Sequence, residues 1–355
     1  MASARELETL AGHCLVASLA GPELTPSDER DLEDLRPAGV IFFGRHLSAH
    51  DPWARLWKEV RRLLPDALFL VDQEGGRVDR LKTLVGPAPA PACLARGGRD
   101  AMTRAATATA EALDLLGFDL NCAPVVDLDE GRGEENLLGD RCLGADPEKV
   151  AELAAWWIEA HEKLGLITSL KHFPGLGRTE LDTHEARPVV RATREEILVR
   201  DVAPFRHLLD VAPSVMVSHA AFPELSGEDR PSSLCPKIVT TLLRDELGFV
   251  GPVLTDDLDM GAVTDRSPGA RAEQAMLAGC DLLLFCHGVE AALEAREALA
   301  SAAGAPGPML GRLEEAAARL APWHRRREGR RTRLATEGEL GVQRDELALL
   351  QAQLA

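Results

Sequence analysis

What this 355-residue chain lacks narrows it before anything it contains does. It has no CxxC pair. Its seven cysteines stand singly at 14, 93, 122, 142, 235, 280 and 286, and several lie in apolar surroundings, such as Cys280 and Cys286 on either side of DLLLF (281–285). That pattern excludes a disulfide framework and a cysteine-bound zinc, and it fits buried free thiols in a reducing compartment. No run of about 18 apolar residues is available to span a membrane. The opening stretch, MASARELETLAGHCLVASLAG, has no basic segment leading into a clean apolar one, as a secretory signal would. Positive charge is also short. Forty Lys and Arg face 57 Asp and Glu, a net charge of −17, so the clustered cations that a phosphate backbone demands are missing. The acidity reads as solubility. The expectation is a soluble, cytoplasmic monomer with no nucleic-acid or membrane partner.

Other absences bear on chemistry. GLGRTE at 175–180 lacks the third glycine of a dinucleotide-binding turn. No GxSxG turn follows a strand-like run, and the HExxH spacing of a familiar zinc site is absent. No cofactor or metal is expected. Neither an internal repeat nor a Pro/Gly/Ser linker divides the chain.

What is present is a succession of short apolar runs: 14–18, 39–43, 67–72, 118–124, 166–173, 214–219, 252–257 and 281–285. Amphipathic stretches at 53–64, 101–116, 148–164, 194–210, 236–247 and 269–278 lie between most of them. Runs apolar on both faces, alternating with helices, predict an α/β protein with a single (β/α)8 TIM-type barrel. We read 1–322 as the catalytic barrel and 323–355 as a basic and helical tail. Within that tail, RRREGRRTR reads as a solvated helix end and RDELALLQAQLA as a surface helix.

A parallel barrel carries its chemistry where its strands end. Polar residues stand there in this chain. Asp72 opens DQEGGRVDR, which runs to Arg80. FDLNCAP leads to Asp127 and on to Arg141. LITSL ends at Lys171 and His172, SVMV at Ser218 and His219, and PVLT at Asp256 and Asp257. Further on, Gly175 and Gly177 loosen the backbone. Asp182 and His184 are two apart, so in an extended segment their side chains share one side. A carboxylate there can fix the tautomer of the imidazole and leave its other nitrogen to move a proton.

These segments, DQEGGRVDR, APVVD, GDR, KHFPG…DTH and LTDDLDM in that order, resemble glycoside hydrolase family 3. Within it the chain is similar to the bacterial β-N-acetylglucosaminidases of peptidoglycan recycling. The resemblance runs from about residue 10 to about residue 320. It implies a retaining exo-β-N-acetylglucosaminidase (β-N-acetylhexosaminidase, EC 3.2.1.52) that acts on small saccharides or muropeptides. It further implies Asp256 as nucleophile, His184 with Asp182 as an acid/base dyad, and Asp72, Arg80, Arg141, Lys171 and His172 as holders of the sugar. Two positions depart from the pattern: Leu176 replaces a usual His between the two glycines, and His46 stands where Asn is common. The residue types suit retention, which needs an attacking carboxylate and a proton donor. The cations should also keep Asp256 ionised. The alternatives are a phosphorylase with the same residues, in which phosphate replaces water, and a noncatalytic amino-sugar-binding protein. The latter would be expected to have lost Asp256 or the dyad.

Overall fold

The computed structural model describes residues 3–131, 138–179, 188–328 and 334–354. Nine strands form one sheet in which every ladder is parallel. They are β1 (Leu15–Ala17), β2 (Gly39–Phe42), β3 (Leu68–Val71), β4 (Leu120–Asn121), β5 (Ile167–Thr168), β6 (Leu170–Phe173), β7 (Val215–Val217), β8 (Val253–Asp257) and β9 (Leu282–Leu284). The spatial order is β5-β4-β3-β2-β1-β9-β8-β7-β6. Only Ser169 separates β5 from β6, and its N–H still bonds to the carbonyls of Asn121 and Ala123 on the β4 side, while the next N–H, of Leu170, bonds to Ser214 on the β7 side. The two pieces are therefore one interrupted strand that joins β4 to β7, and the sheet closes into a TIM-type barrel. Each of the eight apolar runs contains one of its staves.

Alternation along the strands sorts side chains into two layers. Val16, Ile41, Leu70, Leu120, Ile167, Met216, Leu254 and Leu284 pack together inside the barrel. Their neighbours Leu15, Val40, Phe69, Val71, Val217, Val253 and Leu283 face outward into the layer shared with the helices. This double burial is why the runs show no polar alternation in sequence.

The helices match the amphipathic stretches at His50–Leu63, Pro91–Leu115, Pro147–Lys163, 194–208, Lys237–Glu246 and Pro268–Ala278. Three more, Ala4–Gly12, Pro26–Leu35 and Glu290–Gly304, were not among the sequence-based expectations. The last is so rich in alanine that its buried and exposed faces barely differ. The helix Met309–Glu328 crosses the N-terminal end of the barrel, and its Leu320 and Trp323 join the interior cluster as a plug. The expected division at 322 falls inside this helix.

Part of the tail also departs from expectation, although its last stretch is the expected surface helix. Arg327 is not a solvated helix end: only 12% exposed, its Nε lies 3.7 Å from Asp119 just ahead of β4. The last helix, Gly341–Leu354, buries Leu347 and Leu350, and Gln343 Nε2 donates to Glu111 on the helix Pro91–Leu115.

Asp281, fully buried just ahead of β9, ties the plug to the sheet. It faces Arg244 at 2.6 Å, Arg319 at 2.9 Å and Arg312 at 3.4 Å, and it accepts from the Val253 N–H at 2.9 Å. Asp281→Ala strands these guanidiniums and should cost about 3–5 kcal/mol in urea unfolding. A loss below about 1 kcal/mol would show that solvent replaces the carboxylate.

Candidate active site

The C-terminal strand ends surround a pocket of about 340 Å³ lined by Asp72, Glu74, Arg80, Arg141, Lys171, His172, Leu176, Asp256 and Asp257, among others. Its order starts with Gln73, which follows β3. The Asn121 side-chain amide bonds both the N–H and the carbonyl of Gln73 at 3.0 Å, which fixes the backbone between Asp72 and Glu74. The Gln73 side chain accepts from the N–H groups of Arg80 and Leu81 and donates to Asp79. The loop that carries Arg80 is thereby folded back onto the strand end.

Glu74 is the hub of the floor. Its side chain is 1% exposed and accepts two parallel bonds from Arg141, Nε at 2.8 Å and Nη2 at 2.9 Å. Lys171 Nζ lies 2.6 Å from Glu74 and 2.7 Å from Asp72. Burial alone would push the Glu74 carboxyl up, but Lys171 and Arg141 outweigh it and hold it well below the usual range. Burial pulls Lys171 down, and Asp72 and Glu74 more than reverse this. The cluster is a preorganised, fully charged set of donors and acceptors. Glu74 had no assigned role in the sequence reading, although it lies inside DQEGGR. The signal was available: a carboxylate two residues beyond Asp72 on a segment leaving a barrel strand.

His172 is oriented by Asp127. Its Nδ1 lies 2.7 Å from Asp127 Oδ2, and Asp127 also accepts from the N–H groups of His172 and Leu176. Nδ1–H thus donates to the carboxylate, and Nε2 has no partner among the described residues. Leu176 is buried where its N–H meets Asp127.

Asp256 is the last but one residue of β8 and is half-buried at the pocket wall. Burial raises its pKa. His172, then His219, the Asp257 N–H and Lys171 overcome this and hold it below the usual carboxylate range. Of the cations expected to keep Asp256 ionised, Lys171 contributes, and less than His172. Arg141 is instead committed to Glu74. His219 sits behind the strand, with Nδ1 2.7 Å from Ser233 Oγ and Nε2 donating to the Asp257 carbonyl at 2.8 Å. Asp257 accepts from the N–H groups of Asp259 and Cys286, and burial pushes its carboxyl up to about 6.

Gly175 and Gly177 do more than loosen the backbone. Gly175 has φ +128°, and a Cβ there would lie 2.8 Å from Asp201 Cβ. A Cβ on Gly177 would lie 2.1 Å from the Leu128 carbonyl oxygen. Both positions are close approaches that fix the turn, and Arg178 adds a 2.9 Å bond to buried Asp201. His46 is structural: its Nδ1 accepts from the Phe43 N–H and Nε2 donates to the Leu19 carbonyl, while burial and Arg45 push its pKa down to about 4.

Of the expected site residues, Asp72, Arg80, Arg141, Lys171, His172 and Asp256 converge on this pocket. Asp182 and His184 lie outside the described residues. The family model for the glycosyl hydrolase family 3 N-terminal domain matches residues 16–321. The chain belongs to glycosyl hydrolase family 3. This family 3 chain is 35% identical over 295 residues to a β-hexosaminidase of Methylococcus capsulatus, covering 81% of the chain and 87% of that relative. It is 33% identical to a β-hexosaminidase of Pseudomonas aeruginosa, with 77% and 82% covered. A family 3 β-N-acetylglucosaminidase structure from Paenibacillus sp. FPU-7 superposes with TM-score 0.87 at 30% identity, covering 97% of this chain and 68% of that one. A β-N-acetylhexosaminidase structure from Beutenbergia cavernae gives 0.82 at 28%, with 90% and 98% covered. The family 3 chain is a glycoside hydrolase. No group of three or more His, Cys, Asp or Glu among the described residues is arranged to hold a metal.

Proposed function

We propose that this family 3 hydrolase is a retaining exo-β-N-acetylglucosaminidase that removes terminal β-linked N-acetylglucosamine from muropeptides in the cytoplasm. The observation that carries the reading is Asp256: a carboxylate at a barrel strand end, on a ligand-sized pocket, held ionised by His172, His219 and Lys171. In the first step its oxygen bonds to the anomeric carbon. The glycosidic bond breaks, and the leaving oxygen takes a proton from His184. In the second, His184 takes a proton from water, whose oxygen displaces Asp256. Asp182 orients the imidazole and stabilises its charged form. Asp72, Glu74, Arg141 and Lys171 supply fixed partners for the hydroxyls and the 2-acetamido group, with Arg80 and His172 beside them. The cytoplasmic setting rests on the seven unpaired cysteines, six of them buried, and on the absence of any described helix long and apolar enough to cross a membrane.

A site built on such hydrogen bonds rejects a ligand that leaves them unmade. The aryl β-N-acetylglucosaminide should be hydrolysed about 10²–10⁴-fold faster, as kcat/KM, than the aryl β-glucoside. Equal rates on the two would remove the amino-sugar specificity and leave a broader glycosidase.

A further inference from the structure

The cations of the pocket fall into two groups. Arg141 and Lys171, in the β3–β4–β6 sector, are already paired with Glu74 and Asp72. Arg45, just beyond β2, has no carboxylate partner among the described residues. It is nevertheless held firmly. Its Nε donates to the Leu19 carbonyl at 3.2 Å, and its Nη2 to Leu19 O at 2.8 Å, Ser18 Oγ at 3.1 Å and Cys286 O at 3.2 Å. All are neutral acceptors. The guanidinium also lies 4.7 Å from the centre of the Phe43 ring, which Arg80 approaches at 5.7 Å. Two arms are thus spent on the ends of β1 and β9, and Nη1 makes no hydrogen bond among the described residues. Burial opposes the charge on Arg45, as does Arg80, while the Asp257 carboxylate nearby supports it without a direct ion pair. A fixed, exposed guanidinium that lines a pocket with one arm unused is a preorganised anion receptor.

We propose that Arg45 is an oxyanion-binding residue of this pocket, its Nη1 arm taking either a carboxylate on the leaving-group sugar or the oxygens of inorganic phosphate. The proposal rests on the reading of the pocket as a glycosidase site. It places the anion in the β9–β1–β2 sector, across from the paired floor cluster and next to Asp257, whose Oδ1 accepts from the same Cys286 whose carbonyl holds Arg45. A carboxylate there selects the leaving group. A phosphate there is poised to act as acceptor: one of its oxygens bonds to the anomeric carbon as the bond to Asp256 breaks, and the product is a sugar 1-phosphate.

The test uses the full chain and two disaccharides of the same linkage, one with a lactyl carboxylate on the leaving sugar and neutral di-N-acetylchitobiose. The readouts are the ratio of their kcat/KM values without phosphate, and the share of sugar 1-phosphate formed with it. Arg45→Gln should lower the ratio about tenfold if the carboxylate is the ligand, with Arg45→Lys keeping most of it. It should instead abolish the sugar 1-phosphate share if phosphate is the ligand. An unchanged ratio with no phosphate-dependent product in wild type or variant overturns the proposal and leaves the glycosidase reading intact. Failure of wild type on both disaccharides overturns that reading, and this one with it. If Arg45→Gln does not fold, wild type decides alone. Lactate or phosphate, but not neutral lactamide, should inhibit chitobiose hydrolysis competitively; equal inhibition by all three, or by none, overturns the assignment.

Discussion

Asp256→Asn should lower kcat on any aryl β-N-acetylglucosaminide on the order of 10⁴–10⁶-fold, the scale seen when a covalent nucleophile is removed. The fold should survive. Asp256 accepts one described hydrogen bond, from the Asp257 N–H at 2.8 Å, and an asparagine oxygen accepts it equally well. A near-native unfolding midpoint with lost turnover therefore separates chemistry from stability. In wild type, a 2-fluoro or 5-fluoro glycosyl probe should label Asp256, and a label on Asp257 would transfer the role. The environments argue against that transfer: Asp256 is held below the usual carboxylate range, while burial drives its neighbour up to about 6. Because the native pKa of Asp256 is depressed, the group stays ionised as pH falls through the ordinary carboxylate range. Activity lost through its protonation should therefore disappear only at lower pH.

His184→Ala should divide substrates by leaving group. A nitrophenolate departs without a proton and a sugar alkoxide does not. The variant should thus lose on the order of 10²–10⁴-fold on a disaccharide and far less in the glycosylation step of a nitrophenyl glycoside. Water would then lack its general base, so the nitrophenyl reaction should show a burst and stall at the glycosyl-enzyme. Azide needs no base and should restore turnover as a β-glycosyl azide. Asp182→Ala should show the same pattern more mildly, because it handles no transferred proton. Equal losses on good and poor leaving groups, with no azide rescue, would make His184 a binding residue. The acid would then be sought among Glu180, Asp257 and Asp259.

The barrel was legible because strands buried on both faces read as unbroken apolar runs, and each of the eight contains a stave. The division of the fifth run at Ser169 was not, since a change of pairing partner from β4 to β7 leaves no mark in composition. The floor was half legible. Strand-end logic found Asp72, Lys171, His172 and Asp256, whose position in the chain announces them. It assigned no role to Glu74 or Asp127, which act by holding other side chains, nor to Arg45, whose meaning lies in its partners on β1 and β9. Pairing of that kind is a property of three dimensions. The same reason hid the plug: nothing in the sequence marks Leu320 and Trp323, on either side of the expected division at 322, as residues that fill the barrel interior.

That plug has a consequence for the order in which the molecule is made. β1 and β9 are hydrogen-bonded neighbours although one ends at residue 17 and the other begins at residue 282, and the interior beneath them is filled by residues 320 and 323. A ribosome-bound chain that has yet to expose β9 has two open sheet edges, and one that has yet to expose Trp323 has an open floor. Closure by such distant partners is slow, because a large loop must be ordered before its contacts form. Synthesis thus leaves this enzyme to complete its core only after residue 323 has emerged, and until then its apolar staves stay exposed to misassembly.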